Sequence, residues 1–287
     1  MTSFTGSRIC VTLLLFACLA VTWTIASGDM RRAISRVANA GGLGAYGTIP
    51  GAPFARPATC PDGNAITILI AGQSNAANTV PDRRQAGRGA YSLMGGHCHH
   101  LADPLPGASG WKGSMWPLFA DGLTASTGRP VVLIGAAVGG SRIADWSSPY
   151  GHAIAGLPAR ITTATAAGLP VDLVIWIQGE ADANRDTPAE RYTAGLTRVI
   201  DRIDGLTGGS PWIIVPTALR IDGRQNMAIR RAQNMVIDAA PRRHRGPDLD
   251  RINGPGDRHD GVHLARAAAD RVAAALAEQA AAIVAGR

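Results

Sequence analysis

The sequence has almost no lysine. Lys112 is the only one, so the formal charge of +7 and the pI of about 9.9 rest on arginine. That bias follows codon usage in a GC-rich genome rather than a selected binding surface. Nucleic-acid recognition needs a basic stripe with a reading motif. The densest basic stretch, Arg220 to Arg258, carries no such motif and reads as a solvated face. A weak pull toward anionic polysaccharide or lipid headgroups is all the charge implies. Aromatic residues make up only 5% and charged residues 17%, against 46% hydrophobic residues, which excludes a disordered polar chain. There is no internal repeat. The 287 residues suffice for one large α/β domain or two small ones. The 35 glycines and 18 prolines add the expectation of many turns.

Long apolar runs are also few. Ile9 to Ala26 is the exception, preceded by Arg8. It has the layout of an export signal, with Thr24-Ile25-Ala26 as the small-residue cut. Its length makes an uncleaved membrane anchor the competing reading. Either way the remainder is expected outside the cytoplasm: periplasmic, secreted or membrane-anchored. Cys10 and Cys18 fall in this leader, leaving Cys60 and Cys98. In an oxidising compartment these two either pair or stand as separate thiols. His97, Cys98, His99 and His100 lack zinc-ligand spacing and read as a surface loop.

Residues 27–64, rich in Gly, Pro and Ala, read as a linker or stalk. From Ala65 short apolar runs alternate with amphipathic stretches. Ile66–Ile70, Val131–Ile134, Leu173–Ile177 and Trp212–Val215 are buried-strand candidates, with a weaker fifth at Leu249–Ile252. Helical patterns fall at about 152–167, 188–204, 225–239 and from about Leu264 to the end. This alternation predicts an α/β domain over 65–287, with a parallel sheet covered on both faces. Such sheets carry their chemistry at the carboxyl ends of the strands.

The polar residues of interest do follow the strands. Ala71-Gly72-Gln73-Ser74-Asn75 comes after the first. Ser74 there is either a nucleophile at the start of a helix or a simple helix cap. The segment is not a G-x-S-x-G elbow, because Ala76 holds the last position. Gly139-Gly140-Ser141 follows the second strand and allows close approach of backbone N–H groups. Gln178-Gly179-Glu180 and Asp182 follow the third. Gln178 offers a side-chain N–H to a developing oxyanion, Glu180 is either a catalytic carboxylate or, the favoured reading, a residue that orders the loop, and Asp182 reads as a cap or supporting group. Near the end, Asp260 and His263 are three apart, a spacing that lets a carboxylate orient an imidazole. The plainer alternative makes Asp260 a cap and His263 a surface residue. His259 is a rival base, without a carboxylate three residues before it.

As a set, these blocks resemble the SGNH-type serine hydrolases, and within them the sialate O-acetylesterase-like proteins and carbohydrate esterase family 6. Gly113-Ser114, Trp116-Pro117 and Trp146 strengthen the likeness, which runs from about Ile66 to the C-terminus. The resemblance implies a three-layer α/β/α sandwich, flavodoxin-like, on a five-stranded parallel sheet. It implies Ser74 as nucleophile, His263 as general base and acid, and Asp260 as orienting carboxylate. The oxyanion hole would be the N–H groups of Ser74 and Gly139 plus the Gln178 side chain, with Gly140 the fallback glycine. No metal or organic cofactor is implied. The expected activity is removal of O-acetyl or other small acyl groups from a carbohydrate. Its alternatives are an O-acetyltransferase acting on an exported polysaccharide and a non-catalytic glycan-binding module on a hydrolase scaffold. Trp111, Trp116 and Trp146 are candidate sugar-stacking surfaces, with core packing the plainer reading of each.

Overall fold

The computed structural model describes residues 48, 49 and 51–286. The leader expected over 1–26 and most of the linker lie outside them. Among the described residues no helix is long and apolar enough to cross a membrane.

Eight strands form one sheet: β1 (Pro57–Ala58), β2 (Ile66–Gly72), β3 (Ala90–Met94), β4 (His97–His100), β5 (Val131–Gly135), β6 (Leu173–Ile177), β7 (Trp212–Val215) and β8 (Arg243–Arg245). Their order across the sheet is β1-β4-β3-β5-β2-β6-β7-β8. The six from β3 to β8 run parallel, and β4 and β1 close one edge antiparallel. The helices are α1 (Trp116–Thr127), α2 (Ile143–Ser147), α3 (Leu157–Ala166), α4 (Glu180–Ala183), α5 (Ala189–Thr207), α6 (Met227–Asp238) and α7 (Arg266–Ala285).

Why the central strands sit where they do follows from their composition. Ile66, Ile68 and Ile70 join one core with α1 and α7, through Trp116, Phe119, Leu123, Val272 and Leu276. Leu69 and Ala71 join the other with α3, α5 and α6, through Ile161, Val199, Ile203 and Val236. The period-two alternation of a strand thus feeds two apolar layers, because helices cover both faces. The architecture is the expected three-layer sandwich.

Four expectations need correction. Leu249–Arg251 is a 3-10 turn, not a strand, and the outermost parallel strand is β8 instead. The sheet also gains β3, β4 and β1, so it has more than five strands. His97–His100 is not a loop but β4, half of a hairpin whose turn, Gly95-Gly96, has φ of 58° and 82°. The described part of the predicted linker is packed on the domain. Ile49 is fully buried and exchanges backbone hydrogen bonds with Ala108 and Gly107, β1 pairs with β4, and Cys60 is bonded to Cys98.

Candidate active site

The site lies where β2, β5 and β6 end. Gly72 closes β2 with φ of 131°, and a Cβ there would sit 2.0 Å from the Ile177 carbonyl oxygen. Only glycine lets β2 and β6 approach this closely before the chain turns. The turn is the 3-10 segment Ser74–Ala76, which Ser74 opens. An N–H at such a start has no acceptor within its own turn. The indole of Trp116 donates to the Ala76 carbonyl at 2.7 Å, and Thr79 Oγ1 donates to the Ser74 carbonyl at 2.9 Å. The turn is therefore pinned from both sides.

Asp260 and His263 lie on the loop that precedes α7. The His263 ring Nδ1 is 2.7 Å from Asp260 Oδ2, while Oδ1 accepts the backbone N–H groups of Val262 at 3.0 Å and His263 at 2.7 Å. Partial burial pushes the Asp260 carboxyl up, but the His263 backbone N–H, the His263 ring and the Val262 N–H outweigh it. Asp260 is held well below the usual carboxylate range. An ionised carboxylate only accepts, so the proton of a neutral His263 sits on Nδ1 and Nε2 keeps its lone pair.

Asn75 joins this loop to the serine turn. Its Nδ2 donates to Glu180 Oε1 at 2.8 Å and to the Val262 carbonyl at 3.4 Å, and its Oδ1 accepts from Leu264 N–H at 3.2 Å. Residues on both sides of His263 are thereby tied to the residue after Ser74. The structure brings the segments together without a direct hydrogen bond between Ser74 Oγ and the imidazole. Catalytic hydrogen bonds commonly close only around substrate. Asn75 stands in the Gly72–Asn75 block, yet nothing in the sequence shows what it reaches.

Gly139 sits beside Ser74: a Cβ on it would lie 3.9 Å from the Ser74 Cβ and 3.1 Å from Ser109 Oγ. Its N–H donates to Ser109 Oγ at 2.7 Å. Ser109, nearly buried, was not marked by any sequence pattern. Gly140, with φ of 69°, turns the chain next to it. Gln178 is fully buried. Its Nε2 donates to Asp182 Oδ2 at 2.7 Å and to the Ser141 carbonyl at 3.1 Å, and its Oε1 accepts from the Tyr192 hydroxyl at 2.9 Å. A side-chain amide has two N–H hydrogens, and both are engaged here. In this arrangement the amide supports the Ser141 loop, and an oxyanion would compete with Asp182 and the Ser141 carbonyl for its N–H groups. Asp182 in turn accepts from Ile143 N–H and Thr187 Oγ1, and burial pushes its carboxyl up. Glu180 is buried and accepts the Asn75 bond.

Of the three tryptophans proposed for sugar stacking, Trp116 and Trp146 are fully buried. Trp146 packs edge-on against Trp176 and donates to Ser141 Oγ at 2.8 Å, so it orders the glycine loop. Trp111 alone is open to solvent, at 55%.

Comparison with known proteins places the chain in a family and a fold. Residues 111–282 match the family described as carbohydrate esterase, sialic acid-specific acetylesterase. That stretch contains Gly139, Gln178, Asp260 and His263 and begins after Ser74. No curated protein sequence matches the chain. Among solved structures, a protein from Arabidopsis thaliana superposes with a TM-score of 0.63 at 20% identity, over 75% of this chain and 97% of that one. NanS gives 0.58 at 13% identity, over 80% of this chain and 100% of the other. A carbohydrate acetylesterase from Xanthomonas citri gives 0.53 at 22% identity, over 77% of this chain and 57% of that protein. At these identities the likeness establishes the fold. The family match spans more than half the sequence, and the chain belongs to the sialic acid-specific acetylesterase family of carbohydrate esterases, as a carboxylic ester hydrolase.

Proposed function

We propose that the protein removes O-acetyl groups from a carbohydrate through an acyl-enzyme on Ser74. One observation carries this reading: the Asp260–His263 pair, bonded at 2.7 Å, is tied through Asn75 to the turn that bears Ser74. Ser74 Oγ attacks the ester carbonyl while His263 Nε2 takes its proton. Asp260 holds the ring and stabilises the imidazolium. The oxyanion is received by the N–H groups of Ser74 and Gly139, and Ser109 Oγ gives up the Gly139 N–H as it forms. Gln178 supports this loop through Ser141. The sugar oxygen leaves with the proton from His263. Water, deprotonated by the same ring, then attacks the acyl-serine and releases acetate.

An exported location, periplasmic, secreted or membrane-anchored, belongs to the same proposal. It is supported by the Cys60–Cys98 disulfide, which suits an oxidising compartment.

The test compares the native protein with Ser74→Ala on p-nitrophenyl acetate and on acetylated glycans, with fluorophosphonate labelling mapped by mass spectrometry. Acetate release and a label on Ser74, both lost in the variant, are expected. Equal activity in the two proteins would overturn the reading. Transfer of acetyl to a sugar acceptor in preference to water would replace hydrolysis by transfer.

A further inference from the structure

We propose that His259, Asp260 and His263 form a binding site for a borderline-soft divalent cation such as Zn²⁺, and that the ion switches the hydrolase off by binding there. The cluster places one ligand atom from each residue within 4.8 Å of the other two. His259 Nδ1 lies 3.9 Å from Asp260 Oδ2, and His263 Nδ1 lies 2.7 Å from it. These separations bracket the roughly 3.3 Å between neighbouring ligands of a tetrahedral zinc with bonds near 2.05 Å. Shifts of under about 1 Å would seat the ion, with water completing the shell.

The part played by His259 is fixed by an independent contact. Its Nε2 lies 3.0 Å from the Thr79 carbonyl oxygen. A carbonyl only accepts, so Nε2 carries a proton, which leaves Nδ1, 3.9 Å from Asp260 Oδ2, as the ring atom that can ligate an ion. Metal-bound histidines are oriented in this way, with the far ring N–H given to a carbonyl or carboxylate. A cation seated between Nδ1 and the Asp260 carboxylate is attracted by the anionic oxygen as well as by the ring nitrogen. The two imidazoles lie nearly parallel, with centroids 6.0 Å apart. The loop between them is closed by the His259 N–H bond to the His263 carbonyl at 3.0 Å. All three ligands thus lie on one closed turn. His259 has no step in the proposed ester cleavage, so cleavage alone leaves its orientation without a purpose.

The consequence for catalysis follows from proton positions. An ion on His263 Nδ1 takes the place of the proton held there. That proton passes through solvent to Nε2, and the ring stays neutral. Nε2–H is a donor and no longer accepts the proton of Ser74, while Asp260 is drawn to the metal. The inhibitory effect rests on His263 being the base, as proposed above; the binding site does not.

The test uses the full chain, stripped with EDTA. Zn²⁺ binding is measured by calorimetry, Co²⁺ binding by visible absorption, and hydrolysis of p-nitrophenyl acetate in parallel. The native protein should bind Zn²⁺ and lose activity as it binds, with EDTA restoring it. His259→Gln should hydrolyse at the native rate in EDTA, bind Zn²⁺ at least about tenfold more weakly and resist inhibition. Ser74→Ala, inactive, should bind Zn²⁺ as the native protein does. Should His259→Gln misfold, His259→Asn carries the same expectations. Absence of binding, or native affinity in a folded His259 variant, overturns the site; the latter result would send the metal elsewhere, such as to His97, His99 and His100. Binding without loss of activity overturns the switch. A protein without esterase activity that still binds Zn²⁺ through His259 would overturn the proposed function and leave the site standing.

Discussion

In the proposed reaction Asp260 is the residue with the most sharply defined contacts. It accepts three hydrogen bonds, two from backbone N–H groups and one from the His263 ring. Because its carboxyl is held below the ordinary range, it stays ionised well into acid. Its share of stability is therefore present above the ordinary aspartate pKa and lost only as pH falls through the lower folded value. Asp260 should then contribute no proton to the acid-side fall of kcat/KM; an infrared carboxyl signal from Asp260 that appears along that fall would overturn this. Asp260→Asn keeps the shape but can turn a donor toward Nδ1, which favours the wrong tautomer. It should lower kcat by about 10³–10⁴. Tyr192 acts one step further away, its single hydroxyl proton shared between the Gln178 carbonyl at 2.7 Å and Oε1 at 2.9 Å. Tyr192→Phe leaves Gln178 Oε1 without its donor, while the Gln178 carbonyl keeps the Gln233 Nε2 bond at 3.1 Å, and should cost about 1–3 kcal/mol in denaturant unfolding. Activity lost without a matching loss of stability would mark the hydroxyl as part of the chemistry instead.

At the scale of elements, the site is a junction of loops rather than a single motif. The serine turn and the loop before α7 are far apart in sequence and meet through the side chain of Asn75. Asn75→Ala removes that clamp and the bond to Glu180, while Trp116 and Thr79 still hold the turn. The expected result is a fall in kcat of about 10²-fold, from misplacement of the reacting groups, with a smaller change in KM. A change confined to KM would show that Asn75 serves substrate binding. The sequence was most legible where burial decides local structure. β6 and β7 have the predicted bounds, and the chemical residues follow the strands as the parallel sheet requires. It was least legible where long-range contacts decide. Arg243-His244-Arg245 has no apolar run, and becomes a strand only because β7 offers a free edge. Helix α1 went unpredicted although Trp116, Phe119 and Leu123 line its buried side, since Gly122 and Thr124 blur the pattern. The engagement of Gln178 by Asp182 and Ser141 was invisible for the same reason: spacing shows which residues follow a strand, not which way an amide points.

For the whole molecule, the disulfide decides how firmly the antiparallel edge is held. Cys60 follows β1, Cys98 lies in β4, and the Cα atoms are 5.0 Å apart across 38 residues of chain. β1 itself is only two residues long, so its pairing with β4 adds little. The bridge instead shortens the unfolded chain, worth about 3–4 kcal/mol by loop closure. That segment also carries Ile49 and the stretch packed beside Gly107 and Ala108, next to Ser109 and so to Gly139. Reduction should lower stability by that amount, read as a fall in the urea midpoint with a slope equal or steeper, because the unlinked unfolded chain exposes more surface. Strands β2, β5 and β6 are fixed by their own parallel pairing, so the reduced protein that remains folded should keep its rate on p-nitrophenyl acetate. If reduction abolishes activity while the protein stays folded, the edge segment reaches the Gly139 loop and must be counted as part of the site's frame. If reduction leaves the midpoint unmoved, the linkage contributes nothing to the fold and its place in an oxidising compartment loses its physical rationale.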